Sequence, residues 1–283
     1  MYSCIRIKKI ATAVICGLAA TIAAAFMVRA ISVDEGVFLP IIMYHSIVGE
    51  ESEEGEYRIN AQTVERDLAY LKSRGYNAVF TEDITDYVYG RGELPDKPVV
   101  ITCDDGFYNN LFYLLPLLEK YDMRATISPV GIYTQISAAE DPHVPEYSYL
   151  TWEDICTLLA SGRIELGNHT YDLHSLGERR GCEKLEYESE EEYENLFCRD
   201  VGLMQTLCRE NTGITPVVFA YPYGMISPES IPLLKKLGFC AALNCCEQPN
   251  YITHDESCLF SLNRYNRPSG ISTEDFMEKA LHQ

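Results

Sequence analysis

The chain has 283 residues, 47% of them hydrophobic and 23% charged, which is enough for one α/β domain with a full core and is ordinary globular composition. Its 42 acidic against 23 basic residues give a formal net charge of −19 at pH 7. That balance leaves no basic patch to neutralise phosphates and argues against nucleic acid as a partner. The acidity is clustered in Glu50, Glu51, Glu53, Glu54 and Glu56 and again over Glu183 to Glu194. Such runs read as solvated loops or helix faces, with attraction of a cationic polymer as the alternative.

At the N-terminus, Arg6, Lys8 and Lys9 precede Ile10 to Val28, nineteen residues without a charge, and Arg29 closes the run. That length spans a bilayer as a helix, and the basic flank places the N-terminus in the cytoplasm with the remainder outside. The run exceeds the apolar region of a cleaved signal peptide, and Val28-Arg29-Ala30 is a poor cleavage site. The expectation is therefore an uncleaved signal anchor at the cell membrane, with a secreted product if the segment is cleaved. Residues 1–35 form the basic segment, anchor and linker, and 36–283 the extracytoplasmic domain. Cys4 and Cys16 fall in the first part, which leaves nine of eleven cysteines, an odd number with no C-x-x-C pair. They read as small buried hydrophobes, with one or two disulfides among them.

Beyond the anchor, apolar β-prone segments alternate with helical patterns. Phe38 to Tyr44 reads as a strand, Val64 to Arg74 as a helix stopped by Gly75, and Asn77 to Phe80 as a strand followed by a short helix capped by Thr81. Val99 to Cys103 is a strand, Asn109 to Lys120 a helix, and Arg124 to Val130 a strand. Thr151 with Asp154 makes a capping box for a helix over Glu153 to Ser161, before a strand at Ile164 to Asn168. Glu192 to Glu210 is a long amphipathic helix and Pro216 to Tyr221 a strand. Ser227-Pro228-Glu229 starts a helix that ends at Gly238, ahead of a strand at Phe239 to Leu243. Leu259 to Arg264 closes the strand series, and Thr273 to His282 is a terminal helix. Repeated strand–helix units of this number point to a parallel α/β fold, a barrel or distorted (β/α) barrel, in which ligand-binding residues sit at the C-terminal ends of strands.

Polar residues fall at those ends. Thr102-Cys103-Asp104-Asp105-Gly106 places two carboxylates side by side after an apolar strand. They repel one another near a dry strand end, so a bound cation would reconcile them, one Asp as ligand and the other ionised as a base. A solvated turn in which Asp105 caps the next helix is the other reading. His169 and His174 follow another strand. Five residues apart, they do not share a helix face, so they converge only across a strand end and an irregular turn. With one carboxylate they would make a facial triad that leaves positions for water and substrate.

Together these segments resemble the polysaccharide deacetylases, the NodB-like carbohydrate esterase family 4. Thr102 to Gly106 matches the first motif, usually T-F-D-D-G, and His169-Thr170 followed by His174 matches the second. Phe219-Ala220-Tyr221-Pro222-Tyr223-Gly224 resembles the third, and Ile42-Met43-Tyr44-His45-Ser46 is similar to the branch of exported poly-N-acetylglucosamine deacetylases. The resemblance covers about 36 to 283 and implies a distorted (β/α) barrel that removes acetyl groups with a divalent metal, zinc by default, with cobalt or nickel as alternatives. It implies that Asp105, His169 and His174 hold the ion and that Asp104 is the general base that activates the attacking water. The Tyr221-Pro222-Tyr223 segment would face substrate, with the Tyr223 N–H on the oxyanion. Asn168 and Thr170 would orient His169.

Three departures stand out. Cys103 replaces the usual Phe. The Arg that steadies the catalytic Asp, two residues before the Phe of the third motif, is Val217 here, and Arg264 is the candidate substitute. The late Leu-x-x-His that supplies a general acid has no match: Leu281-His282 ends the chain and His254 sits in a polar loop, so His45 ranks first as proton donor or substrate contact. The expected protein is a monomeric, membrane-anchored N-deacetylase of an acetylated amino-sugar polysaccharide, either poly-N-acetylglucosamine, peptidoglycan or a chitin-like polymer. The alternatives are an O-acetyl esterase or deformylase on the same site, and a non-catalytic glycan-binding protein. Retention of Asp104 speaks against the last.

Overall fold

A computed structural model describes residues 36–49, 54–140 and 143–282. The anchor expected over 10–28, with the rest of 1–35, lies outside the described residues. Among the described residues, no helix is long and apolar enough to cross a membrane. Val37–Gln283 form one compact unit.

The single strand expected over 38–44 is two, β1 (Val37–Phe38) and β2 (Ile41–Tyr44), because Pro40 between them has no N–H for a ladder. β3 (Ser46–Val48) pairs in parallel with β4 (Arg58–Asn60), and the Asn60 side chain caps α1 (Ala61–Ser73) by accepting from Gln62 N–H at 2.8 Å. β5 (Asn77–Ala78), α2 (Thr81–Val88) and β6 (Pro98–Asp105) follow. The next helix begins as a π turn over Asn110–Leu114 and continues as α3 (Leu115–Tyr121). Then come β7 (Ala125–Pro129), α4 (Gly131–Glu140), α5 (Trp152–Ala160) and β8 (Ile164–Leu166). Thr151 and Asp154 make the expected reciprocal cap on α5, at 2.8 and 3.2 Å. α6 (Glu190–Thr212) outruns its expected bounds because Ser189 and Glu192 cap its start and Gly213, at φ 76°, ends it. β9 (Val218–Ala220), α7 (Ser230–Lys236), β10 (Ala241–Leu243), β11 (Tyr251–Ile252), β12 (Tyr265–Asn266) and α8 (Thr273–Ala280) complete the order.

The strand expected over Leu259 to Arg264 is a correction. Glu256–Ser261 is a 3-10 turn, started by Asp255 accepting from Ser257 N–H at 2.9 Å, and the strand comes later, at β12. Leu259 and Phe260 are buried there, and a short apolar run looks the same from sequence in either state. The expected disulfides are a second correction: the nine described cysteines are all free thiols, several fully buried.

The main sheet runs β12-β2-β6-β7-β8, all parallel, with β5 beside the start of β6. Its register sets Tyr44, Cys103, Ile127 and Leu166 in one row. Residues just beyond that row therefore emerge at one end of the sheet. β9 and β10 pair in parallel, and isolated parallel bridges Asn168–Phe219 and Leu243–Leu262 carry the pairing toward both flanks. Both faces of the sheet are covered. Ile42, Val99 and Ile101 enter one apolar cluster with α1, α3 and α5, while the alternate residues Ile41 and Val100 enter another with β9, β10 and α6. Full burial of each such side chain contributes about 1.5–3 kcal/mol.

Candidate active site

One cleft of about 570 Å³ opens at the end where the strand row stops, and it is lined by His45, Asp104, Asp105, His169, His174 and Tyr223 among others. Consecutive strand residues point to opposite faces, so Asp104 and Asp105 should diverge. They do not, because Asp105 adopts φ 70° and Gly106 φ 74°, which breaks the alternation and turns both carboxylates into the cleft. A Cβ on Gly106 would lie 2.5 Å from Pro129 Cβ, so only glycine fits. A non-glycine residue held at positive φ costs about 1–3 kcal/mol, and Asp105, Thr170 (φ 69°) and Tyr223 (φ 56°) all stand at this site.

The irregular turn required by the His169–His174 spacing is present. His174 Nε2 lies 3.0 Å and His169 Nε2 3.6 Å from Asp105 Oδ1, and the three ligand atoms fall within 4.8 Å of one another. Ligands about 2.1 Å from a tetrahedral zinc ion stand about 3.4 Å apart, so this set fits a divalent ion. His169 Nδ1 is 2.7 Å from the Ala220 carbonyl, which can only accept. The ring proton is therefore on Nδ1, and the Nε2 lone pair faces the other two ligands. Burial lowers the His169 pKa to about 4 against the pull of Asp104, so the ring is neutral and free to ligate. For Asp105, burial works upward, but the hydrogen bond from His174 and the nearby imidazoles prevail and lower its pKa.

Asp104 is gripped from beneath. Arg264 Nη1 and Nη2 reach Asp104 Oδ1 and Oδ2 at 2.7 and 2.8 Å, both side chains essentially sealed from solvent. Arg264 also donates from Nε to the Asn244 carbonyl at 2.8 Å. Burial alone would raise the Asp104 pKa; the guanidinium reverses this and holds the carboxyl well below the usual carboxylate range. Arg264, just ahead of β12, thus puts on Asp104 the cation that Val217 does not supply.

His45 emerges beyond β2. Its Nδ1 is buried without a hydrogen-bond partner, and its ring meets Tyr57 edge-on at 4.9 Å. Burial lowers its pKa, and Asp104 and Asp105 oppose that shift. Tyr223 places its ring 4.8 Å from that of His174, with its hydroxyl 3.3 Å from His174 Nδ1. Tyr221 and Pro222 do not present side chains to the cleft, which corrects their assignment as substrate contacts. Both are buried, and the Tyr221 hydroxyl bonds Ser230 Oγ at 2.7 Å. They hold the turn that delivers Tyr223. His254 stacks on Tyr87 at 4.8 Å and lines a separate groove.

Several supporting residues had no sequence signal beyond their type. Asn109 accepts from Ile47 N–H at 2.9 Å and donates to Ser46 Oγ at 2.9 Å, while Asn110 donates to the His45 carbonyl at 3.0 Å. The π turn aims both amides at the strand end carrying His45, consistent with π turns occurring at functional sites. Asn168 Oδ1 accepts from Thr170 N–H at 2.8 Å, which supports the orienting role expected of it. The Thr170 hydroxyl is buried with no hydrogen-bond partner.

The profile of the polysaccharide deacetylase family matches residues 91–242, and the chain belongs to that family. It is 26% identical over 217 residues to the poly-beta-1,6-N-acetyl-D-glucosamine N-deacetylase of Escherichia coli K12, covering 70% of this chain and 32% of that one. The chain thus spans about a third of the length of that relative. Among solved structures, the de-N-acetylase from Aggregatibacter actinomycetemcomitans is 25% identical with a TM-score of 0.71, covering 85% of this chain and 100% of that one. IcaB from Ammonifex degensii is also 25% identical, with a TM-score of 0.70 and coverage of 87% and 97%. The deacetylase fold and its α/β character follow from these likenesses.

Proposed function

We propose that this chain is a divalent-metal-dependent hydrolase that removes N-acetyl groups from an amino-sugar polysaccharide of the cell surface or cell wall. The observation that carries it is the Asp105, His169 and His174 triad set beside an ionised, arginine-held Asp104 in one cleft. The likeness to the Escherichia coli poly-beta-1,6-N-acetyl-D-glucosamine N-deacetylase supports poly-N-acetylglucosamine as the substrate, with peptidoglycan or a chitin-like polymer as the alternatives. Asp105, His169 and His174 would hold the ion, zinc by default. Such an ion supplies a Lewis acid for the acyl oxygen and lowers the pKa of water.

The chain's own residues do the rest. Asp104, kept ionised by Arg264, accepts the proton of the attacking water. The Tyr223 N–H, on its left-handed turn, meets the developing oxyanion. The proton taken up by Asp104 goes on to the departing amine, and His45, kept neutral by burial against the pull of the two carboxylates, stands beside Asp104 to relay it. Tyr57, Tyr223 and Leu176, all substantially exposed on the cleft wall, offer apolar surface to a sugar ring. The parallel sheet is read as a distorted barrel, the protein as a monomer, and the charge-free run at 10–28 as an anchor that leaves the domain extracytoplasmic.

The test is acetate release from poly-β-1,6-N-acetylglucosamine, chitooligosaccharides and peptidoglycan by the purified protein with zinc or cobalt. Release should stop on chelation and return with metal. Release from acetylated xylan alone would favour the O-acetyl esterase, and no release from any of them the glycan-binding protein.

A further inference from the structure

The five-residue spacing of His169 and His174 works only if the loop between them holds one shape, and α6 holds it. Asp200, on the middle of that helix, accepts from Tyr171 N–H at 2.9 Å through Oδ1 and from Asp172 N–H at 3.0 Å through Oδ2. The N–H of Leu173 is also directed at it. On the same helix, the carbonyl of the next residue, Val201, and Gln205 Oε1 a turn further along each accept from Asn168 Nδ2 at 3.3 Å, and Asn168 in turn takes the Thr170 N–H. From the other side, Gly131 and Ile132 N–H at the start of α4 reach the Thr170 and Tyr171 carbonyls at 3.0 and 2.8 Å. The loop's backbone is thus held from two helices, and Asp200 supplies a charged acceptor to it. The helix cannot shift to follow the loop, since its Tyr193, Phe197, Val201 and Met204 are locked in the core.

We propose that Asp200 is a positioning residue for the metal site: it fixes residues 171–173 so that His174 meets Asp105 and His169. This rests on the metal reading above. Without Asp200, the Tyr171, Asp172 and Leu173 N–H groups lose a charge-assisted partner, and the loop no longer presents His174 in register. Loss of a partner that orients ligands lowers metal affinity by about 10–100-fold.

The test measures zinc and cobalt affinity of the full chain, freed of metal, by competition with a chromophoric chelator, together with the visible spectrum of the cobalt form and the Tm. Asp200→Ala should weaken affinity by about 10–100-fold and alter the cobalt spectrum. Asp200→Asn, which keeps one acceptor oxygen, should fall between Ala and the unaltered chain. Glu165→Gln is the control, because Glu165 likewise accepts backbone N–H groups, of Thr81 and Glu82, but away from the cleft. It should lower Tm and leave metal affinity unchanged. Unchanged affinity in folded Asp200→Ala, or in Asp200→Asn should the alanine variant not fold, overturns the proposal. Failure of the unaltered chain to bind either ion overturns the metal reading itself, a distinct result.

Discussion

Two buried Asp–Arg pairs lie within reach of one short segment, and they behave differently. Arg264 and Arg267 are three residues apart, both essentially inaccessible to solvent. Arg267 pairs with Asp67 of α1 at 2.8 and 3.3 Å, and Asp67 also accepts from the Tyr44 hydroxyl at 3.0 Å and Thr273 Oγ1 at 2.6 Å. The remaining Arg267 donors go to the Pro268 and Ile271 carbonyls, and its guanidinium lies over the Phe276 ring. That pair is closed on every side and ties β12 and α8 to α1. Among the described residues, Asp104 has only Arg264 for its carboxylate oxygens and otherwise faces the cleft beside His45 and His169. The same chemistry is a fastener where every acceptor is taken and, in the function proposed above, a base where one side stays open.

The comparison breaks most visibly through the two aspartates. Asp104→Asn should cut acetate release by about 10²–10⁴-fold with metal still bound. Asp67→Asn should instead cost about 3–5 kcal/mol of stability, read as a lower Tm and urea midpoint, because Arg267 is left buried without its counter-ion. Loss of folding in the first and loss of turnover at unchanged Tm in the second would reverse the assignment.

Arg264→Met sharpens the contrast. With the guanidinium gone, burial drives the Asp104 pKa upward, so turnover should fall and the acidic limb of the pH–rate profile should move to higher pH, while metal content stays normal. Unchanged turnover would remove Arg264 from its role.

The smallest effect is in the metal-free protein's response to pH. The His169 pKa is lowered from 6.5 to about 4 by burial. The unfolded chain therefore takes up a proton at higher pH than the folded one, and stability falls as pH drops from about 6.5 to about 4. The loss is about 3 kcal/mol in urea titrations, and His169→Gln should flatten it. A flat profile in the unaltered protein would contradict the neutral, buried ring.

Much of the site was legible because its residues sit in short local patterns. Asp104, Asp105, His169 and His174 follow apolar strands, and a parallel register then brings strand ends together. Arg264 could be named as a candidate only because Val217 left Asp104 without a cation. Its chain segment was misread as strand over 259–264, since Leu259 and Phe260 are buried whether strand or turn. Asp200, Asn109 and Asn110 were not legible as site residues. Each acts through backbone groups tens of residues away, and helix periodicity says nothing about which loop a helix face will meet. Tyr221 and Pro222 were overread for the converse reason: a motif names a turn without saying which of its side chains leaves it.

By itself the sequence determined the alternating strand–helix order, the acidic charge, and the four groups proposed to bind and activate, because these depend on local periodicity and residue chemistry. Tertiary structure decided how those groups meet. The left-handed φ at Asp105, Thr170 and Tyr223 is held by packing and hydrogen bonds around it, against a local cost the chain would otherwise avoid. Whether a buried Asp–Arg pair is sealed, as Asp67–Arg267 is, or open to a cleft, as Asp104–Arg264 is, depends on which elements pack over it.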